Sequence, residues 1–197
     1  KLFANVSFEI ARGEKVAIIG ENGIGKSTLI KILLGKVYQS EGVYEWGHET
    51  HVSYFSQDHH DLIDRHAKVL EWLTEIASDV PEQQVRKVLG QVLFKKDDVD
   101  KDILSLSGGE AARLLLARIS LESGNVLLLD EPTNHLDMEA TESLAKALID
   151  FHGTLIFVSH DRHFISKIAN RVLFVSRDKK LIDFKGKFEE FEKRYDV

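Results

Sequence analysis

The apolar positions change period twice within the first half of the chain. Asn5–Ile10 alternates polar and apolar residues, Ala11–Glu14 reads as a turn, and Val16–Ile19 is an apolar run ending at Gly20, so the opening predicts two strands. A helix follows from about Lys26 to Leu34, with Gly35 as its left-handed stop. Val43–Trp46 and Val52–Phe55 predict further strands around a turn at Gly47–Thr50. From about Leu62 to Phe94 the spacing turns helical, with Val69, Leu70, Leu73 and Ile76 on one stripe and Val85, Val88, Leu89, Val92 and Leu93 on another.

That helical, acidic stretch ends at Leu104. Ser107–Glu110 then spells S-x-x-E, a capping box opening a long helix to about Leu121. Val126–Leu129 is a continuous apolar strand suited to burial on both faces, Asp137 caps a helix to about Asp150, and Thr154–Val158 is a second buried strand. A helix at Asp161–Ala169, strands at Val172–Val175 and near Leu181, and a terminal helix from about Lys187 complete the pattern. Strand–helix alternation of this kind predicts an α/β fold with a mostly parallel sheet and helices on both faces. Residues 1–197 read as a single domain, with 1–57 and 105–197 forming the α/β core and 58–104 a helical subdomain inserted into it.

Composition narrows the chemistry. With 197 residues, 43% of them hydrophobic, the chain can bury its own core, and two prolines and no repeat argue against a linker. The absence of cysteine excludes disulfides and Cys-based zinc or iron–sulfur sites, which fits a reducing, cytoplasmic setting. The apolar runs are too short to span a bilayer, so no membrane insertion is expected. A net charge of −6 gives no support for a general nucleic-acid surface. The chain opens on Lys1 rather than Met, and is read as a piece of a longer protein.

Gly20-Glu21-Asn22-Gly23-Ile24-Gly25-Lys26-Ser27-Thr28 fits G-x-x-x-x-G-K-[ST] between a predicted strand and a predicted helix, the context a P-loop requires. Glycines let successive backbone N–H groups turn towards phosphates, Lys26 neutralises the β and γ charges, and Ser27 offers a hydroxyl to Mg²⁺. The competing account is a glycine-rich turn leading into a capped helix. Chance produces such a match in roughly 1% of chains of this length, before the strand–helix context is imposed. Val126–Leu129 then delivers Asp130 and Glu131 at a strand's carboxyl end, where open α/β sheets bind ligands. Asp130 suits Mg²⁺, through water, and Glu131 suits polarising an attacking water; the alternative is an exposed acidic turn. The N-terminus of the Ser107 helix, with Gly108 and Gly109, is a second potential phosphate site, or simply a capped helix. His160 follows a buried strand, a place where a histidine is also commonly a packing or surface residue. His59, His60 and His66 lie among Asp58, Asp61 and Asp64 without zinc spacing, and read as a solvated polar loop.

Leu106-Ser107-Gly108-Gly109-Glu110, followed by Val126–Asp137 and by Ser159-His160-Asp161, resembles the nucleotide-binding domain of ATP-binding cassette (ABC) proteins, and the likeness runs almost end to end. The resemblance implies an ABC-type P-loop NTPase fold with a mostly parallel core sheet, a small antiparallel β part and an inserted helical subdomain. It implies an ATPase using ATP and Mg²⁺, in which Gln57 is the glutamine-loop residue and a metal partner with Ser27 and Asp130. Leu106 to Glu110 become the signature, acting in trans on the nucleotide of a second cassette, either on the same longer chain or in a homodimer of this one. Asp137 becomes the D-loop acid and His160 the switch histidine. The isolated chain is expected to turn ATP over poorly.

Glu110, where transporter cassettes commonly carry glutamine, together with Asn134-His135-Leu136-Asp137 and Ser159-His160-Asp161-Arg162, is similar to the F subfamily. That resemblance implies two cassettes on one chain, no transmembrane segments, and a partner in the ribosome and its RNA, with a role in translation. Forty-eight residues separate Gln57 from Leu106, too few for the helical arm of F-type first cassettes, so the chain resembles the second, C-terminal one. The stretch Asp183–Tyr195, with Gly186, Phe188, Phe191 and Tyr195, resembles the end of F-type cassettes, and Asp97-Asp98 with Asp137-Met138-Glu139 are similar to a bacterial branch. The aromatic residue that stacks on adenine in the family lies further upstream than Phe3. The rival expectations are the ATP-binding subunit of a membrane transporter and an ATP-gated clamp in which binding, not hydrolysis, is functional.

Overall fold

The computed structural model describes residues 6–55, 67–121, 124–134 and 136–195. Six strands form one sheet: β1 (Lys15–Gly20), β2 (Val52–Phe55), β3 (Val126–Asp130), β4 (Thr154–Val158), β5 (Arg171–Val175) and β6 (Leu181–Lys185), in the order β2-β3-β4-β1-β5-β6. All neighbours are parallel except β5 and β6, the antiparallel pair at one edge. The sequence explains the central strands directly. β3 and β4 are buried at every position, as the apolar runs Val126–Leu129 and Leu155–Val158 favour, and each of those apolar side chains contributes roughly 1.5–3 kcal/mol.

The described residues contain seven α-helices: α1 (Lys26–Leu33), α2 (Val69–Ile76), α3 (Glu82–Gln91), α4 (Gly108–Leu121), α5 (Met138–Asp150), α6 (Arg162–Ile168) and α7 (Phe188–Tyr195). Their ends follow local chemistry. Gly35 takes φ 70° and its N–H reaches Ile32 O, closing α1 as the sequence predicts. Asp137 Oδ1 accepts from Ala140 N at 2.8 Å, and Asp161 Oδ1 from Phe164 N at 3.0 Å, capping α5 and α6.

The chain divides into two compact units. The first comprises Lys1–Gln57, Asn125–Pro132 and His152–Val197 and contains the whole sheet; the second comprises Asp58–Gly124 and Thr133–Phe151. In the first unit Val16, Ile18, Val126, Leu128, Ile156, Val158 and Leu173 share one sheet face with Leu29 and Ile30 of α1. On the other face Phe157 meets Phe164 edge-on at 5.8 Å, and Phe174 and Phe184 pack against Phe191 of α7. In the second unit Val69, Trp72, Leu73, Val85 and Leu89 surround Leu114 and Ala117 of α4. The helical unit therefore takes in α4 and α5, and its edge is not at residue 104. A long amphipathic helix announces its apolar face in sequence but not which neighbours receive it.

Two expected strands do not form. Residues 6–10 and 43–46 pair in no ladder, although their alternation is as good as that of β2. A strand is completed by a partner's hydrogen bonds, which alternation cannot supply. Glu9 instead offers its carbonyl to Arg171 Nη1 at 2.6 Å, while Val43 stays 91% exposed.

Candidate functional site

At the carboxyl end of β1 the chain must turn sharply into α1, and glycine makes that possible. Gly20 has φ 152°, and a Cβ there would lie 2.6 Å from the Val175 carbonyl oxygen, which is backbone and cannot swing away. Gly20→Ala is therefore expected to push β5 off the loop. We expect it to lower the thermal midpoint measured by scanning calorimetry; an unchanged midpoint would refute the steric account.

Lys26 is 6% exposed and donates to Gly20 O and Glu21 O, both at 2.9 Å. An ammonium has three N–H donors, so this arrangement holds Lys26 inside the loop with a donor remaining for an anion. Burial pulls its pKa below the usual lysine value, opposed by the nearby carboxylates of Glu131 and Asp130. Gly23 and Gly25 also adopt positive φ, and Ile24 N reaches Glu21 O at 3.4 Å. Ser27 and Thr28 lie in the first turn of α1.

Ser27 Oγ donates to Asp130 Oδ1 at 3.0 Å, across a sequence separation of 103 residues. Sheet order explains it: β3 lies two strands from β1, so both strands present their carboxyl ends to the same edge. Asp130 is 3% exposed, and burial raises its pKa, with the Ser27 hydrogen bond opposing. A buried carboxylate beside a serine hydroxyl is a hard-oxygen donor pair, which suits Mg²⁺.

Glu131 leaves the sheet with φ 51°, uncommon for a non-glycine residue and more so before a proline. Its N–H donates to Val158 O at 2.9 Å, and its carboxylate accepts from His160 N at 3.3 Å. His160 Nε2 lies 3.1 Å from Glu131 Oε1. These bonds hold the backbone in a strained conformation and turn the acid back over the strand ends. Burial pushes the Glu131 pKa above the ordinary glutamate value, opposed first by His160.

The signature residues lie in the helical unit. Ser107 N and Oγ donate to Glu110 Oε2 at 2.9 and 3.0 Å, and Glu110 N reaches Ser107 Oγ at 3.3 Å, so the predicted capping box is realised. Lys101 Nζ sits 2.7 Å from Glu110 Oε1 and 2.8 Å from Asp98 Oδ1. The Lys101 hydrogen bond is the largest influence holding the Glu110 carboxyl below its usual pKa. A Cβ on Gly109 would be 3.8 Å from Asp137 Oδ2, so the signature and the Asp137 cap are neighbours. Leu106 packs against the helical core. Gln57 and the histidines at 59, 60 and 66 lie outside the described residues, and among the described residues no group of acids and histidines is arranged to hold a metal.

One cluster carries no sequence motif. Arg171, 2% exposed, is held by Asp183 through Nε at 2.8 Å and Nη2 at 2.7 Å, and by Glu14 and the Glu9 carbonyl, each at 2.6 Å. The only signal was a charge opening an otherwise apolar strand.

The profile of the ABC transporter family matches residues 3–134. The chain is 42% identical over 191 residues to the probable ATP-binding protein YbiT of Escherichia coli O157:H7, covering 96% of the chain and 36% of that protein. It is 49% identical to the ATP-binding protein YdiF of Bacillus subtilis, covering 89% and 27%. It is 42% identical to ABC transporter F family member 2 of Arabidopsis thaliana, covering 96% and 28%. The chain thus spans about a third of these curated relatives or less. Among solved structures, it superposes on a metal-chelate-type ABC transporter with TM-score 0.78 at 25% identity, covering 95% of this chain and 77% of that one. It also superposes on an archaeal ribosome recycling factor, aABCE1, solved with the ribosomal stalk protein aP1, with TM-score 0.71 at 29% identity, covering 94% and 37%. No helix among the described residues is long and apolar enough to cross a membrane.

Proposed function

Because the chain belongs to the ABC transporter family of ATP-binding domains, we propose that it is one half of a two-cassette ATPase, cleaving ATP with Mg²⁺ when a second cassette closes over it. The observation that carries this reading is the Ser27–Asp130 hydrogen bond with Glu131 and His160 beside it, which joins the phosphate loop, a cation-holding acid and a base at one sheet edge. Lys26 and the backbone N–H groups of Gly20–Thr28 hold the β- and γ-phosphates. Ser27, Asp130 and, by resemblance, Gln57 would hold Mg²⁺, which neutralises phosphate oxygens when bound. Glu131 accepts a proton from, or polarises, the water in line with the γ-phosphorus, and His160 orients Glu131 and stabilises the developing charge. The Ser107–Glu110 helix end serves the other cassette's γ-phosphate. Asp137, beside it, lies where the two cassettes would meet.

We place the chain as the second cassette of an F-type, cytoplasmic protein that acts on the ribosome. The likeness to F family relatives supports this, as does Glu110 in place of glutamine. The full-length protein is expected to co-sediment with ribosomes when ATP is present and to release when it is consumed. Its purification with a transmembrane subunit, and without ribosomes, would overturn the assignment in favour of a transporter subunit.

A further inference from the structure

The phosphate loop contains a charge opposed to its task. Glu21, the residue after Gly20, places a carboxylate within a loop that is to receive a polyanion, while its carbonyl accepts from Lys26 Nζ at 2.9 Å. That carboxylate does not face solvent alone. Arg177, from the turn joining β5 to β6, engages Glu21 Oε1 through both Nε and Nη2.

The turn is built to hold Arg177 there. Val175, the last residue of β5, is in register with Gly20, and the missing Cβ of Gly20 lets the Val175 carbonyl close in on the loop. Immediately after it, Ser176 N donates to Lys180 O at 2.9 Å, Lys179 N to Ser176 O at 2.9 Å, and Ser176 Oγ to Asp178 Oδ1 at 2.6 Å. Lys180 Nζ is itself held by Asp178 Oδ2 at 3.0 Å, so these two charges of the turn neutralise each other and Arg177 is directed to the loop.

We propose that Arg177 is a positioning residue for nucleotide binding, acting through Glu21: it cancels the carboxylate's charge so that the loop meets the phosphates as a net cation. The inference rests on the reading of Gly20–Thr28 as a nucleotide site and adds to it a residue outside the motif. Arg177 is 85% exposed and Glu21 52%, so the pair contributes little to folding. Its consequence is felt by the ligand. An unpaired negative charge in a loop that receives several phosphate charges weakens binding by about three- to tenfold, less in high salt.

The test is calorimetric titration of the full-length protein, at low and high salt, with MgATP and MgADP. R177A is expected to bind MgATP about three- to tenfold more weakly, with a smaller loss for MgADP and a smaller loss in high salt. E21Q is expected to bind more tightly than wild type, the double variant R177A/E21Q to return to within about twofold of it, and R177K to keep most of the affinity. Unchanged binding by R177A overturns the proposal. So does E21Q binding as weakly as R177A, which would mean that the pair is a mechanical tether. Wild-type protein that binds no MgATP would instead remove the nucleotide reading itself, an outcome distinct from either.

Discussion

Glu131→Gln is expected to slow ATP hydrolysis by about 10²–10⁴-fold while leaving MgATP bound. Glutamine keeps the shape of the side chain and can still meet His160, so the loop, Lys26 and Asp130 are undisturbed, but it cannot take a proton from water. Single-turnover hydrolysis and nucleotide affinity, measured side by side in the paired full-length protein, separate the two effects. Normal turnover would remove Glu131 from the mechanism. Burial raises the pKa of Glu131, and a base must be ionised, so the acid limb of kcat/KM is expected above the ordinary glutamate value. The same shift has a consequence for stability. A carboxyl whose folded pKa is raised contributes stability below its unfolded pKa and loses it as pH rises through the folded value. Glu131→Gln is therefore expected to raise the thermal midpoint near neutral pH and to lose that advantage in acid.

Asp183→Ala is expected to destabilise the sheet unit by about 3 kcal/mol, the low end of the range for breaking a buried ion pair. Asp183 supplies two of the four bonds that hold the Arg171 guanidinium, and Arg171 is almost fully enclosed, so its charge would be left with Glu14 and a carbonyl. The Asp183 hydrogen bond is also the largest influence raising the Arg171 pKa. Urea unfolding monitored by circular dichroism measures the loss. A change of less than about 0.5 kcal/mol, the scale of an ordinary surface substitution, would mean that the cluster is dispensable. Asp183 lies on β6, paired with Leu173 of β5, so the damage is expected at the antiparallel edge of the sheet.

Both predictions depend on residues of different legibility. Glu131 was readable because an apolar strand ending in two acids, downstream of a P-loop, is a rare local pattern. Its left-handed backbone was not, since it is held by bonds to Val158 and His160, and a proline following it argues for extended geometry. Asp183 is legible in the sequence only as the start of the stretch that resembles the end of F-type cassettes, because its partner is across a strand pair.

What the sequence alone determined about this protein is what a few consecutive residues can settle: the glycine-rich turn between β1 and α1, the Gly35 stop, the caps at Ser107 and Asp137, and which runs are apolar enough to be buried. The turn, the stop and the caps are decided by interactions within about five residues, so the text of the chain contains their partners, and an apolar run favours burial whatever its neighbours turn out to be. The tertiary structure alone decided that Ser27 meets Asp130, that Arg177 reaches Glu21, that α4 joins the helical unit, and that residues 6–10 and 43–46 remain outside the sheet. Those outcomes depend on which strand lies beside which. A hydrogen-bond ladder or an ion pair between distant positions exists only when the other half arrives, and alternation or charge in one segment does not name that other half.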